Sequence, residues 1–508
     1  MKAPEPGRSD PGTAPPDEGI ARNTAFALFV QLTTAGFTAV LTLFLVRALG
    51  PAGYGLFALA VGIGALLTLP SDFGISPSAA RFVAESREDP STVAAVLAGA
   101  LRLKVLIGLA VSGALLVAAP AVAAAYATPE LTWPLRGVAI ALFGQNMMFL
   151  FQGAFVALRR VSVNLRLVFS ESAMETVTSV ALVLLGGGAS GAAFGRAAGY
   201  AFGGLIAIVL AARLLGRRAI DIRRTEPGHL RRIAGYAGAL LVIDAAFTLF
   251  NEIDVLVIGA LVGTAGVGLF QAPTRLVTFL HYPGYAVAAG VAPRLARSAG
   301  ESPDAEAFST ALRYLIVLQS ALAVGVLLWA EPIVDLLLGA QYAGSAEVLR
   351  ALAPFVFLSG LAPLVSLSVN YLGEVRRRIP LALITLLINL VVDIVFVPRI
   401  GIVAGAIGTS AAYAVYVPGH FIICYRVLGF PLRPVLVTLG RSACAALALA
   451  VVLGAFGTSD LSAVDWVAGT ALGGASFLLV LIVLGEITLH ELRAASRAVI
   501  NRMGRTRS

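Results

Sequence analysis

Long apolar runs recur from one end of this chain to the other, and that pattern bounds every fold it can adopt. LALITLLINLVVDIVFV at 381–397 is one example. A run of about 18 or more such residues is long enough, as a helix, to cross a hydrocarbon layer roughly 30 Å thick. The chain has 508 residues and only 13% are charged, about half the share usual in soluble proteins. Short alternating strands of the barrel type are absent from the pattern. The expectation is an all-α polytopic membrane protein. Run lengths and the Gly, Pro and Arg breaks predict about fourteen spans, centred from near Phe37 to near Leu478.

The ends and the charges set the expected orientation. Residues 1–20 are rich in Pro and charge and lack the apolar core of a signal peptide, so they read as a disordered cytosolic tail. An even number of spans puts both termini on one side. With that side cytosolic, only Arg47, Arg136, Arg350 and Arg399 flank the outer ends. Arg196 and Arg275 fall within spans, and most of the 37 Lys and Arg lie at the inner side. The clusters at 159–160, 217–218, 223–224, 231–232 and 376–378 follow the positive-inside rule. The net charge of +9 is then explained by inner loops facing anionic lipid, without any nucleic acid. The predicted location is the cytoplasmic membrane.

An internal repeat divides the chain. AGYGLF at 52–57 opens the second span and AGVGLF at 265–270 opens the eighth. An even number of spans separates them, so the copies point the same way, as in parallel repeats about an axis along the membrane normal. The organisation expected is an N-lobe of six spans at 21–215, a basic linker at 216–232, and a C-lobe of six spans at 233–428. Two additional spans follow at 433–489, then a basic cytosolic tail at 490–508. Both lobes are in one chain, so a monomer suffices.

NEID at 251–254 puts Asn251, Glu252 and Asp254 inside the seventh span. Glu252 lies roughly 16 Å below the outer turn at Gly263, and Arg275 lies at a similar depth on the eighth span. A charge near the bilayer centre costs at least ~3 kcal/mol and is borne by pairing or by a wet cavity. One reading is a structural ion pair; the other is a cavity lining that meets substrate or a coupling ion. Glu171 and Glu175 share a face of the fifth span, four residues apart, and Arg196 sits within the sixth. Gln271, Asn370, Asn389 and Asp393 are among further polar residues scattered through the spans. Asp72, between the helix breakers Pro70 and Gly74, reads as a local cap.

Other chemistries find no support. The only lysines, Lys2 and Lys104, follow no Gly-x-x-x-x-Gly pattern, so there is no phosphate-binding loop. Two cysteines and four scattered histidines supply no metal-ligand spacing. The chain reads as a non-enzyme with no catalytic residues, no metal and no bound cofactor.

Four blocks in order resemble the polysaccharide and O-antigen flippases. They are FLVRALGPAGYGLFALAVGIGALLTLPSDFGISPSAARFVAE at 44–85, IDVLVIGALVGTAGVGLFQAPTRL at 253–276, EPIVDLLLGAQYAGSAEVLRALAP at 331–354, and the stretch from Asn370 to Val415. That family belongs to the multidrug/oligosaccharidyl-lipid/polysaccharide (MOP) flippase superfamily. The resemblance implies a MATE-like fold and alternating access of two lobes around a cationic cavity. It implies a polyprenyl-diphosphate-linked oligosaccharide as substrate, membrane lipid as surroundings, and glycosyltransferases and a polymerase as pathway partners. Arg275 in APTRL and Arg47 in LVRALG occupy the matching cavity positions; Arg196, Gln271 and Asn370 join them by inference from depth and polarity. Glu252, Asp254, Glu171 and Glu175 are the candidates for ion pairing or for a coupling H+ or Na+. A multidrug exporter and a lipid II flippase of the same fold are the alternatives.

Overall fold

The computed structural model describes residues 20–223, 245–295, 303–488 and 491. The N-terminal tail, most of the basic linker and nearly all of the C-terminal tail lie outside the described residues. Among those described, secondary structure is helical throughout, with no strand. Ten helical stretches are long and apolar enough to cross a membrane.

The two longest stretches are each broken once. Helix α1 (Ile20–Asp72) is interrupted at Gly50, whose φ of 67° suits a residue without Cβ. Pro51 follows, with its fixed φ and missing N–H, and starts the second half. Helices α5 (Val161–Leu182) and α6 (Gly188–Leu215) are joined through Gly186 and Gly188, both at positive φ. Helix α7 covers 245–261, and Gly263 turns the chain into α8 (Thr264–Thr278), which continues as α9 (Tyr282–Val291). With these divisions the helices are consistent with fourteen crossings. The remaining long ones are α3 (Pro90–Ala125), α4 (Thr132–Ala157), α10 (Ala305–Leu328), α13 (Ala353–Tyr371), α14 (Arg378–Ile400), α15 (Val403–Leu428), α16 (Leu432–Phe456) and α17 (Ala463–Val483). Short helices α2 (Ile75–Glu85), α11 (Ala330–Leu337) and α12 (Ser345–Ala351) lie in the connections.

Apolar surface cannot drive helix association within lipid, so the tight contacts are made by small residues. Gly191, Gly195, Gly199 and Gly203 recur every fourth residue on α6. A Cβ on Gly195 would come within 2.3 Å of Ser179 on α5, and one on Gly199 within 2.5 Å of the Glu175 Cβ. This stripe presses α6 onto α5 and fixes Arg196, one residue from Gly195, beside Glu175.

The repeat has a structural counterpart. Gly55 and Gly268 are equivalent positions of AGYGLF and AGVGLF. A Cβ on Gly55 would lie 1.8 Å from the Thr264 carbonyl oxygen, and one on Gly268 would lie 1.9 Å from the Pro51 carbonyl oxygen. Thr264 and Pro51 are themselves equivalent, so the contact is reciprocal about a pseudo-two-fold axis.

That end of the bundle is sealed. Leu45, Tyr54 and Leu59 share one core with Val255, Ile258 and Phe270, whereas the opposite end of the first six spans keeps its own core around Phe151, Phe155 and Leu97. Tyr342 donates from its hydroxyl to the Val46 carbonyl at 3.1 Å, and Gln341 donates to the Arg47 carbonyl at 3.3 Å. The connection carrying α11 and α12 thereby covers the Gly50 turn. The Arg clusters at 159–160, 217–218 and 376–378 lie in connections at the other end.

Helices α16 and α17 are fastened to α10 at both of their ends. Trp329 donates to the Gly457 carbonyl at 3.2 Å and meets the Trp466 ring edge-on at 4.9 Å. At the opposite end Arg313 and Arg441 both reach buried Glu486, at 2.8 and 3.1 Å.

Candidate functional site

Two cavities meet at one guanidinium. The first, about 240 Å³, lies between α1, α5, α6 and α8, and its polar lining includes Glu171, Glu175, Arg196, Tyr200, Gln271 and Arg275. The second, about 380 Å³, lies between α7, α8, α9 and α15 and includes Asn251, Glu252, Asp254, Gln271 and Arg275. Gln271 and Arg275, one helical turn apart on α8, line both.

The acids on the α5 side are answered by a cation. Glu175 Oε1 accepts from Arg196 Nη1 at 2.7 Å. Arg196 also reaches the Tyr200 hydroxyl at 3.3 Å and lies 4.8 Å from the centre of its ring. Glu171, one turn before Glu175, accepts from the Ser172 hydroxyl at 3.0 Å, and its other oxygen is buried without a hydrogen bond among the described residues.

Arg275 is placed differently. With the Gln271 amide turned so that its oxygen faces the guanidinium, it accepts from Arg275 Nη2 and Nε at 3.1 and 3.2 Å. Among the described residues Arg275 has no ion pair. Glu252 lies on the same cavity and feels the charges of Arg275 and Arg196, but the structure records no hydrogen bond or salt bridge joining it to Arg275. Its carboxylate packs instead across the seam, with Oε2 3.0 Å from where a Gly62 Cβ would stand. Equal depth along two helices thus does not bring the two groups into contact.

Asp254 turns away from Arg275 into the packing of α7 against α14 and α15. It accepts from Asn389 Nδ2 at 3.0 Å and from Thr409 Oγ1 at 2.9 Å. The Asp393 carboxylate lies against it, fully buried, and neither Asp393 oxygen has a hydrogen-bond donor among the described residues. The Asn389 amide oxygen is likewise unpartnered. Gly408 makes the room: a Cβ there would lie 2.8 Å from that oxygen and 3.1 Å from Asp393 Oδ1. Sequence reasoning treated Asn389 and Asp393 as scattered polar residues. Their spacing of four residues puts them on one face of α14, and that spacing was a usable signal.

Two proposed cavity residues lie elsewhere. Arg47 sits at the sealed end, where Nε and Nη2 donate to the carbonyls of Leu337 and Leu336 at 3.1 and 2.5 Å. It satisfies the last carbonyls of α11, which an arginine beside a helix C-terminus can do. Asn370 accepts from Arg378 Nη1 at 2.5 Å beside a third cavity, of about 290 Å³. Asp72, two residues before the Gly74 N-cap position of α2, accepts from the Ser76 backbone N–H at 3.3 Å and from its hydroxyl at 2.6 Å, and it also pairs with the buried Lys104.

Comparison with known proteins fits this geometry. The family model described as "Polysaccharide biosynthesis protein" matches residues 20–299, more than half of the chain. The chain belongs to the polysaccharide biosynthesis protein family. A second model, MatE, matches residues 240–395. A probable low-salt glycan biosynthesis flippase, Agl15 of Haloferax volcanii, is 20% identical over 204 residues. That match spans 40% of this chain and 43% of the relative, less than half the length of either.

Solved structures show the fold of this family member. The lipid II flippase MurJ, in an inward closed conformation, superposes with a TM-score of 0.72 at 14% identity and covers 91% of this chain and 98% of its own. An inward-facing MATE family transporter of the MOP superfamily superposes with a TM-score of 0.62 at 17% identity, covering 79% and 98%. This polysaccharide biosynthesis protein is therefore a multi-pass membrane protein with the MOP fold.

Proposed function

We propose that the protein is a flippase that moves a polyprenyl-diphosphate-linked oligosaccharide across the cytoplasmic membrane by alternating access, for cell-surface polysaccharide synthesis. The observation that carries this reading is Arg275. It stands where the two cavities join, with a neutral amide as its hydrogen-bond partner and, among the described residues, no carboxylate paired to it. A guanidinium so placed can take two oxygens of a diphosphate at once. The sealed end and the cavities beneath it describe one state of a rocking pair of lobes. With the arginine-rich connections on the cytosolic side, that state opens inward. The matched relative is itself a probable glycan biosynthesis flippase. Nothing in this mechanism needs a chemical step, so the protein acts as a transporter. Glycosyltransferases and a polymerase supply and consume its cargo, and one chain suffices.

The ion that drives the cycle binds, on this reading, at Asp254, Asn389, Asp393 and Thr409. Two carboxylates buried together without a cation are costly. A shared proton relieves that cost, and so does a hard cation such as Na+, which oxygen donors of this kind suit.

The test is flipping of a fluorescent polyprenyl-diphosphate oligosaccharide in proteoliposomes, with the native protein and Arg275→Ala side by side. Flipping by the native protein alone supports both the cargo and the site. Flipping by both keeps the cargo and removes Arg275 from the mechanism. Flipping by neither, with folded protein and several lipid-linked sugars tried, points to drug export.

A further inference from the structure

The third cavity takes no part in the scheme above. It lies among α9, α13, α14 and α15 and continues the Arg275 cavity, because Phe247, His281, Tyr285 and Tyr413 line both. At about 290 Å³ it sits near the lower end of small-molecule sites, ~300 Å³ and upward. It leads from the junction at Arg275 toward the end of the bundle where α13 turns into α14.

Its wall is a connected series of rings. Tyr413 meets Phe250 and Tyr416 at a tilt, with centroids 5.5 Å away in each case, and Phe355 edge-on at 4.7 Å; Tyr416 lies 4.2 Å from His420. Tyr285 and Phe247 stand at the same chamber with much of their surface uncovered, 42% and 47%. Tyr413 and Tyr416 behind them are buried, so the open ring faces of the chamber are those of Tyr285 and Phe247. The ring of His281 meets Phe355 edge-on at 5.2 Å, and its Nε2 is buried with no hydrogen-bond partner among the described residues. A buried polar atom of that kind is normally satisfied by a ligand, water or ion.

The charge in the chamber is Arg378. Its Nε donates to His420 Nε2 at 3.3 Å, Nη1 to Asn370 Oδ1 at 2.5 Å and Nη2 to the Tyr416 hydroxyl at 3.4 Å. All three acceptors are neutral. Arg196, by contrast, is neutralised by Glu175. A guanidinium has five N–H donors, so Arg378 is held in place with donors to spare and, among the described residues, with no carboxylate paired to it.

Flat apolar faces beside a few fixed polar groups suit a sugar, whose ring presents C–H groups on one face and hydroxyls at its edge. We propose that this chamber is a glycan subsite, in which Tyr285 and Phe247 stack sugar rings in front of the buried Tyr413 and Tyr416, and Arg378 pairs with a carboxylate carried by the sugar. The inference rests on the flippase reading and names the sugar class that the site favours, an acidic one. The diphosphate sits at Arg275 and the glycan extends from it along the ring wall.

The probes are three short-chain prenyl diphosphates: one without sugar, one with a neutral hexose and one with a hexuronic acid. Their binding to the purified full-length protein is measured by calorimetry. The native protein should bind the uronic acid compound most tightly and the sugar-free compound least. Tyr285→Leu should weaken both sugar compounds by about five-fold and spare the sugar-free one. Tyr285→Phe keeps the ring and should behave as the native protein. Arg378→Gln should erase the preference for uronic acid over neutral hexose. Unchanged sugar affinity in Tyr285→Leu would overturn the proposal. So would an Arg378→Gln variant that loses the sugar-free compound equally, since Arg378 would then serve the diphosphate. No binding of any compound by the native protein sinks the flippase reading, and the subsite with it.

Discussion

The two lobes meet the same problem in opposite ways. In the first, Glu175 and Glu171 sit one turn apart on α5, and Arg196 is pressed against Glu175 by the glycine stripe of α6. In the second, Asp254 and Asp393 face each other across α7 and α14 with only an amide and a hydroxyl to share. Buried carboxylates need a counter-charge or a proton. The first lobe supplies the counter-charge from its own helices; the second shows no cation beside its two acids among the described residues. A paired site holds shape, whereas an unpaired one can report the presence of an ion.

Substitutions at Asp393 test that contrast most severely. Asp393→Asn removes the second carboxylate without changing volume, and gradient-driven flipping should fall by more than about ten-fold, one decade per 1.4 kcal/mol of lost coupling. The melting temperature should hold or rise, because like charges are no longer buried together. Flipping in proteoliposomes under imposed sodium or proton gradients reads the first quantity and thermal melting the second. A variant that melts early yet still responds to the gradient would make the cluster structural and break the comparison.

At Glu175 the expected response is the reverse. Glu175→Gln leaves Arg196 without its carboxylate and should cost about 1–3 kcal/mol, less than a fully buried pair because both partners keep some exposure. Melting should drop by several degrees, and adding Arg196→Met should recover most of it. Failure of that double substitution to rescue would show that Arg196 also stabilises the fold through its contacts with Tyr200.

The seam between the lobes can be probed at its symmetric glycines. Gly268→Ala places a methyl 1.9 Å from the Pro51 carbonyl oxygen, and Gly55→Ala does the same to Thr264. Each should cost about 1–3 kcal/mol of overpacking and should open the sealed end. Labelling of a cysteine introduced at Gln341 measures that opening. Equal effects at the two positions would sharpen the pseudo-two-fold relation, and an effect at one alone would contradict it.

Glu486 gives the smallest effect and a third arrangement, one acid with two cations. Burial pushes its carboxyl up, but hydrogen bonds from Thr438, Arg313 and Arg441 outweigh that and hold it below the usual range. A depressed pKa contributes stability above the ordinary Glu value, near ~4.3, which is lost as pH falls through the folded value. The melting difference between the native protein and Glu486→Gln should therefore be present at neutral pH and vanish in acid. A difference independent of pH would assign the effect to packing.

Much of the scaffold was legible in the residues. Run length gave the membrane class, and Gly50, Gly186 and Gly263 marked turns that the structure makes. AGYGLF and AGVGLF read as a parallel repeat, and the structure adds that their glycines Gly55 and Gly268 make reciprocal contacts. The site was legible only in part. Gln271, Arg275, Glu252, Asp254, Glu171, Glu175 and Arg196 all line the joined cavities, and Asp254 also reaches into the helix packing, bonded to Asn389 and Thr409. Arg47 matched a family block yet spends its donors on α11, which a linear motif does not reveal.

The sequence by itself determined that this chain lies in a membrane, roughly where it turns, and which charges it carries at depth. Those follow from the cost of exposing apolar or charged groups in the wrong solvent, which each segment meets alone. Only the tertiary structure decided which charge faces which: that Arg196 answers Glu175, that Asp393 rather than Arg275 meets Asp254, and that Arg378 stands beside a wall of rings. Rotation of each helix about its own axis is set by the small residues of its neighbours, and a turn of 100° per residue moves a side chain from one cavity to another.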